Sequence, residues 1–324
     1  MYDFIASYYY KYSNSYAALL NLNKYFNNFN QPPDILYLGD SVLKNVSYYD
    51  TDKRTINEML EDDLPSFVSM ASIYQSAYHP GVYYSLLKAI QAMKKKPKII
   101  LLPVNLRSFS PQWDLHPKYQ FETEINALEK YSQIRNVNAI KLDCQTIPPA
   151  LFEEYDASPV LYPNTFLNRV GQFRLLVNSR AETEEQKKFR LAHVFIFHYM
   201  HTLLPTHRKL VLLHKILEIF QEIDVSALIY ITPINYQAGN KYVGESFSKK
   251  IKLNVDTVLT VLGKCLTSSK FIFWDASMLL QSDSFVHNDI ANEHLNQAGR
   301  SFLSSNVKTK IMELYYALPK HSIG

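Results

Sequence analysis

Three polar residues, remote from one another along the chain, have the types that ester chemistry needs. Ser41 closes the triplet Gly39-Asp40-Ser41 after the apolar run "DILYLG". Asn105 follows the run "KIILLPV". His294 lies in "EHLNQAGR". A serine hydroxyl attacks a carbonyl only when a base takes its proton. Histidine can do this because its pKa lies near neutrality. The negative oxygen that results needs donors, which an asparagine amide and backbone N–H groups can supply.

These residues act together only if the fold gathers them. Ile35–Leu38 is a short apolar run bounded by turn residues, the pattern of a buried parallel strand. Further strands are expected at Ser66–Ala71, Lys98–Val104, Ala227–Thr232 and Lys270–Trp274. Helical patterns fall at Ser15–Phe26, Thr55–Leu64, Val82–Lys95, Ser246–Leu266 and Asn296–Leu318. Strands separated by helices imply an α/β fold, a five-stranded mostly parallel sheet with helices on both faces. Functional groups gather at the carboxyl ends of such strands. Ser41, Asn105 and Asn235 follow strands there, and His294 comes just before the final helix.

The third and fourth strands are too far apart for one crossover helix. Residues 110–205 therefore read as a helical insertion or lid, with helical patches at Glu122–Ile134 and Glu182–Leu204 and breaks at Pro148-Pro149, Pro159 and Pro163. Residues 1–33 read as an N-terminal helical extension. Residues 34–109 and 206–324 form the α/β core.

Composition removes several alternatives. With only eight glycines and no GxGxxG or GxxxxGK[ST] sequence, a dinucleotide or P-loop site has no material. The net charge of +4 is modest, and the runs Lys94-Lys95-Lys96 and Lys187-Lys188 read as solvated surface, so no nucleic-acid partner is expected. Cys144 and Cys265 form neither a zinc motif nor a disulfide framework. His193, His198, His201, His207 and His214 crowd one region without HExxH or matched carboxylates, so no metal is expected. No apolar stretch reaches the roughly 18 to 20 residues of a membrane span. The N-terminus does not read as a secretory signal, and the expected location is cytoplasmic.

The ordered blocks resemble the SGNH (GDSL-type) hydrolase superfamily: GDS after the first strand, an Asn after the third and a His before the last helix. "ILLPVNLRSFSPQW" is similar to a segment of branches that acylate or deacylate polysaccharides and cell-wall polymers. The resemblance implies a serine esterase or O-acyltransferase that acts without cofactor on a glycan or small-molecule ester. Ser41 would be the nucleophile and His294 its base. The Ser41 backbone N–H and the Asn105 side chain would hold the oxyanion. A third donor would come from the second block, at Ala71 or Tyr74. The chain departs from the family pattern in three places. "SMASIYQSAYHPG" has no glycine before Gly81, and "PVNL" keeps only the Asn of its block. The place three residues before the histidine is Ala291, which leaves Asp289, or alternatively Glu293, Asn292 or a backbone carbonyl, to orient His294.

Blander roles compete. Asp40 and Ser41 are both good helix caps, and Asp40 suits a turn. Arg107 is either a surface charge or, if it points into the cleft, a group that suits an anionic substrate or holds the Asn105 loop. Tyr74 is a candidate substrate contact. "LAHVFIFHYMHTLL" reads as a packed amphipathic helix or as a lid over an apolar acyl group. These departures also admit a non-catalytic binding or assembly protein on the same scaffold.

Overall fold

Alternate residues of each strand feed two separate cores, and this alternation sets the layers. The computed structural model describes residues 17–22, 24, 32–133, 150–180, 183–263 and 268–318. Its sheet holds β1 (Ile35–Gly39), β2 (Met70–Tyr74), β3 (Ile99–Val104), β4 (Ser226–Ile231) and β5 (Phe271–Asp275). All neighbours are parallel and the spatial order is β2-β1-β3-β4-β5. That is one of the two common doubly wound orders, in which ligands bind beyond the carboxyl ends near the switch point between β1 and β3.

The helices, in chain order, are α1 (Ala17–Leu22), α2 (Ser41–Lys44), α3 (Ile56–Asp63), α4 (Pro80–Gln91), α5 (Pro111–Leu115), α6 (Glu122–Gln133) and α7 (Ala150–Ala157). There follow α8 (Val170–Asn178), α9 (Glu184–Tyr199), α10 (Arg208–Glu222), α11 (Tyr236–Val243), α12 (Ser246–Leu262) and α13 (Gln297–Tyr316). Leu36, Leu38, Ile100, Leu102, Ile229 and Ile231 face one side of the sheet and pack with α4, α10 and α12. Ile35, Tyr37, Ile99, Leu101, Leu228 and Tyr230 face the other and pack with α3 and α13. Each such side chain is fully buried, worth about 1.5–3 kcal/mol of transfer free energy for a typical aliphatic residue.

The expected fold class is the observed one, α/β with helices on both faces of a five-stranded sheet; the sheet, expected to be mostly parallel, is parallel throughout. Two elements differ from expectation. β2 begins at Met70, not Ser66. Pro65–Val68 is instead a turn closed by Val68 N–H on the Pro65 carbonyl at 2.8 Å. Ser69 is held by the Asp34 carboxylate through its N–H at 2.9 Å and its hydroxyl at 2.8 Å. Ahead of the helix expected from Ser246 lies one that was not expected, α11, which closes at the C-cap Gly244, whose φ of +90° suits glycine.

Of the two readings of "LAHVFIFHYMHTLL", the packed helix is the one observed. In α9, Phe195, Ile196, Phe197 and Tyr199 are buried with α4, α10 and α12, and His193 and His198 are buried with them. The crossover helix back to β4 is α10, which begins just after the expected insertion ends. Cys144, Cys265 and Pro148-Pro149 lie outside the described residues. Among the described residues no helix is long and apolar enough to cross a membrane.

Candidate active site

Ser41 is the first residue of α2, and Asp40 is its N-cap: the Asp40 carboxylate accepts the Val42 N–H at 2.8 Å. The capping role thus falls to Asp40, and the Ser41 hydroxyl is left for other partners. At the first helical position a backbone N–H has no intrahelical acceptor. Gly39 permits the tight strand-to-helix turn, since a Cβ there would lie 2.1 Å from Leu43 Cδ1.

Asn105 follows β3 and caps the 3₁₀ turn Leu106–Phe109. Its Oδ1 accepts the Arg107 N–H at 3.0 Å, and its Nδ2 donates to Asp40 Oδ2 at 2.9 Å. The amide orientation is therefore fixed, and the second Nδ2 hydrogen remains for an oxyanion. Burial pushes the Asp40 carboxyl up to about 6, against the Val42 N–H and the Asn105 amide. The nearby Glu293 raises it further and Arg107 lowers it.

His294 is fixed by the segment around it. Its N–H donates to Asn292 Oδ1 at 3.0 Å, and its carbonyl accepts the Val286 N–H at 2.9 Å. Asn296 caps α13 by accepting the Gly299 N–H at 3.1 Å. Gly299 is required by packing, because a Cβ there would lie 2.3 Å from the Ser284 carbonyl oxygen. The buried Arg300 donates to the carbonyls of Leu295 (3.1 Å), Asp52 (2.6 Å) and Arg54 (2.9 Å) and pairs with Asp50 at 2.5 Å. It thereby ties the loop that follows α2 to the histidine segment. "EHLNQAGR" is a structural unit whose product is a placed imidazole.

That imidazole meets the serine: His294 Nε2 and Ser41 Oγ are 3.2 Å apart, across 253 positions of sequence. Asn45 Nδ2 lies 2.8 Å from the same Nε2. Burial pushes the His294 pKa below the ordinary histidine value. Glu293 opposes this, and Arg107 and His287 reinforce it. The ring is therefore neutral at pH 7, the state a general base needs.

Three expected roles are corrected. Ala71 is the second residue of β2, paired with Leu36, whereas Gly39 pairs with Tyr74. At about 3.3 Å per residue, Ala71 sits roughly 10 Å below the carboxyl edge and cannot serve an oxyanion there. Tyr74 is the residue of this block that reaches the edge. Asp289 does not orient His294: its side chain is exposed and pairs with Lys241 at 2.8 Å. Glu293 does not bond the imidazole either. It pairs with Arg107 at 3.1 Å and accepts the Tyr199 hydroxyl.

Arg107 holds loops together and does not face open solvent. Its guanidinium bonds Glu293, the Ala291 carbonyl (3.4 Å) and His198 Nε2 (3.1 Å), and stacks over the Trp113 ring. Burial is the largest single influence and opposes its charge, but Glu293, Tyr199 and Tyr119 together outweigh it and hold the guanidinium pKa above its ordinary value. The sequence reading missed Asn45, His198 and Tyr199 as neighbours of the site. Only the i, i+4 spacing of Asn45 from Ser41 offered a signal. Among the described residues no cluster of His, Cys, Asp or Glu has the make-up of a metal site.

No protein-family model matches this chain, and no curated protein matches it in sequence.

Proposed function

We propose that this chain is a serine esterase or O-acyltransferase of the SGNH type, working on a glycan or small-molecule ester. The observation that carries the reading is the 3.2 Å approach of Ser41 Oγ to His294 Nε2 at the carboxyl edge of the sheet. Ser41 Oγ bonds to the ester carbonyl carbon while its proton passes to Nε2. The Ser41 N–H and the free Asn105 Nδ2 hydrogen stabilise the oxyanion. The carbon–oxygen bond to the alcohol then breaks, and the alcohol leaves with the proton from His294. Water or a second hydroxyl attacks the acyl-serine, giving its proton to His294, and Ser41 regains that proton on release.

A fluorophosphonate probe with peptide mass spectrometry tests this directly. The expected result is an adduct on Ser41 in the folded protein, and p-nitrophenyl acetate turnover that Ser41→Ala removes. No adduct, with turnover unchanged in Ser41→Ala, overturns it.

The second reading is a non-catalytic binding or assembly protein. It is favoured by the crowding of His294 Nε2 by Asn45 and by the engagement of Asp289 and Glu293 elsewhere. The same experiment separates the two, since this reading predicts neither adduct nor turnover.

A further inference from the structure

His294 Nε2 has one lone pair and two neighbours. Asn45 Nδ2 is the nearer, at 2.8 Å, and Ser41 Oγ lies at 3.2 Å. Asn45 is also well placed to stay there. It is the C-cap of α2, and its backbone N–H donates to the Ser41 carbonyl at 3.0 Å. Nucleophile and amide therefore stand on one short turn, and both converge on one nitrogen. Among the described residues, the hydrogen-bond partners of the His294 ring are these two.

A histidine base commonly has a carboxylate at Nδ1, which decides which nitrogen is bare. Here the two nearby acids are engaged elsewhere, Asp289 by Lys241 and Glu293 by Arg107 and Tyr199. An amide N–H donated to Nε2 reaches the same result by another route. It is satisfied only when Nε2 carries the lone pair, which leaves the ring proton on Nδ1.

We infer that Asn45 is a positioning residue that selects the reactive tautomer of His294, in place of an orienting carboxylate. The inference rests on the serine-esterase reading for its effect on rate, but not for its effect on the ring. It carries a cost in reactivity. When Nε2 takes up the Ser41 proton it faces an N–H, so Asn45 favours the neutral ring. The charged or titratable groups whose field reaches the ring are Glu293 from the segment before α13, Arg107 from the turn after β3 and His287 from the loop after β5. Replacing Asn45 leaves all three in place.

Long-range ¹H–¹⁵N NMR of the full chain, across the histidine titration range, reads tautomer and protonation together. In the wild type the neutral His294 ring is expected to carry its proton on Nδ1. Asn45→Ala is expected to mix the tautomers and to titrate at higher pH, since a bond to the neutral form is gone. Asn45→Asp, nearly isosteric and able only to accept, moves the proton to Nε2 and raises the midpoint further. An unchanged tautomer and midpoint in both variants overturns the inference. So does a midpoint that falls in Asn45→Ala, which would place Oδ1 against an Nε2 proton. In the activity arm, Asn45→Ala is expected to lose about 10-fold in kcat with KM unchanged, below the ~10²–10⁴-fold of a whole general base. If the wild type turns over no ester while the NMR results hold, the esterase reading fails and the tautomer role of Asn45 stands.

Discussion

Arg107 and Glu293 bind each other at 3.1 Å, and each stands beside a residue of the site. Arg107 lies two residues after Asn105, and Glu293 precedes His294. The pair joins the loop that carries the amide to the segment that carries the imidazole. Their side chains are 17% and 3% exposed, so each charge depends on the other.

Removing both partners should therefore cost less than the two single removals added. Glu293→Gln and Arg107→Met are each expected to lose roughly 3 kcal/mol, because each leaves an uncompensated buried charge or acceptor. The double variant is expected to lose less than the two losses added. Urea denaturation of the four proteins measures the coupling. A strictly additive double variant would show that the pair does not act as a unit.

Gly299→Ala and Gly39→Ala should differ in whether they can be rescued. At Gly299 the new Cβ meets the Ser284 backbone oxygen, and a loss of about 1–3 kcal/mol is expected from overpacking. At Gly39 it meets the end of the Leu43 side chain, which can be shortened. Leu43→Ala carries its own cavity cost, so the double variant should lose less than the two single losses added. Thermal melts of Gly299→Ala, Gly39→Ala, Leu43→Ala and the Gly39/Leu43 double variant check this, and strictly additive losses in the last three would refute it.

Stability should fall on mild acidification. Burial lowers the pKa of His79, His116, His198, His201, His207 and His294 in the folded chain. As pH falls through the ordinary value of about 6.5, the unfolded chain takes up protons that the folded chain refuses. Burial acts in the opposite sense on Asp40 and Glu124, raised to about 6 and about 7. These carboxyls hold protons in the folded chain that the unfolded chain has already lost, so they favour folding as pH falls. Six groups oppose two. The urea midpoint is expected to be lower near pH 5.5 than near pH 7.5, and an equal or higher midpoint contradicts the assignment.

Asp40→Asn isolates one of these groups. Between about pH 4 and 6 the folded wild type keeps a proton that its unfolded chain has released. Above that range it carries a buried carboxylate. The variant titrates nothing at this position. Relative to wild type it is expected to gain about 3 kcal/mol as pH rises from about 4 to 7, the linkage value of a two-unit displacement. Parallel denaturant titrations measure the difference, and a flat difference across that range refutes it.

The strand ends were legible because two strong patterns coincide there. A buried parallel strand reads as an unbroken apolar run, and a polar cluster that follows it has to lie at the sheet edge. Ile35–Leu38 followed by Asp40-Ser41, and Lys98–Val104 followed by Asn105, are both of this kind. β2 was misread because "SFVSMA" is apolar on both sides of its true start. What moves the boundary to Met70 is the bond from Ser69 to Asp34, 35 residues away.

The sequence by itself determined the layered α/β architecture and the placing of Ser41 and Asn105 after strands and His294 before a closing helix, since apolar runs and the polar clusters that follow them mark those positions whatever their neighbours do. The approach of His294 to Ser41 belongs to the tertiary structure. Only the tertiary structure decided how the remaining polar groups pair: Asp289 with Lys241, Glu293 with Arg107 and Asn45 with His294. The physical reason is directional. Beside the bridge that joins Leu295 to Phe285, adjacent side chains point to opposite sides, so the acid next to His294 in sequence is turned away from its ring. A residue 249 positions away, fixed by its own short helix, occupies the place instead.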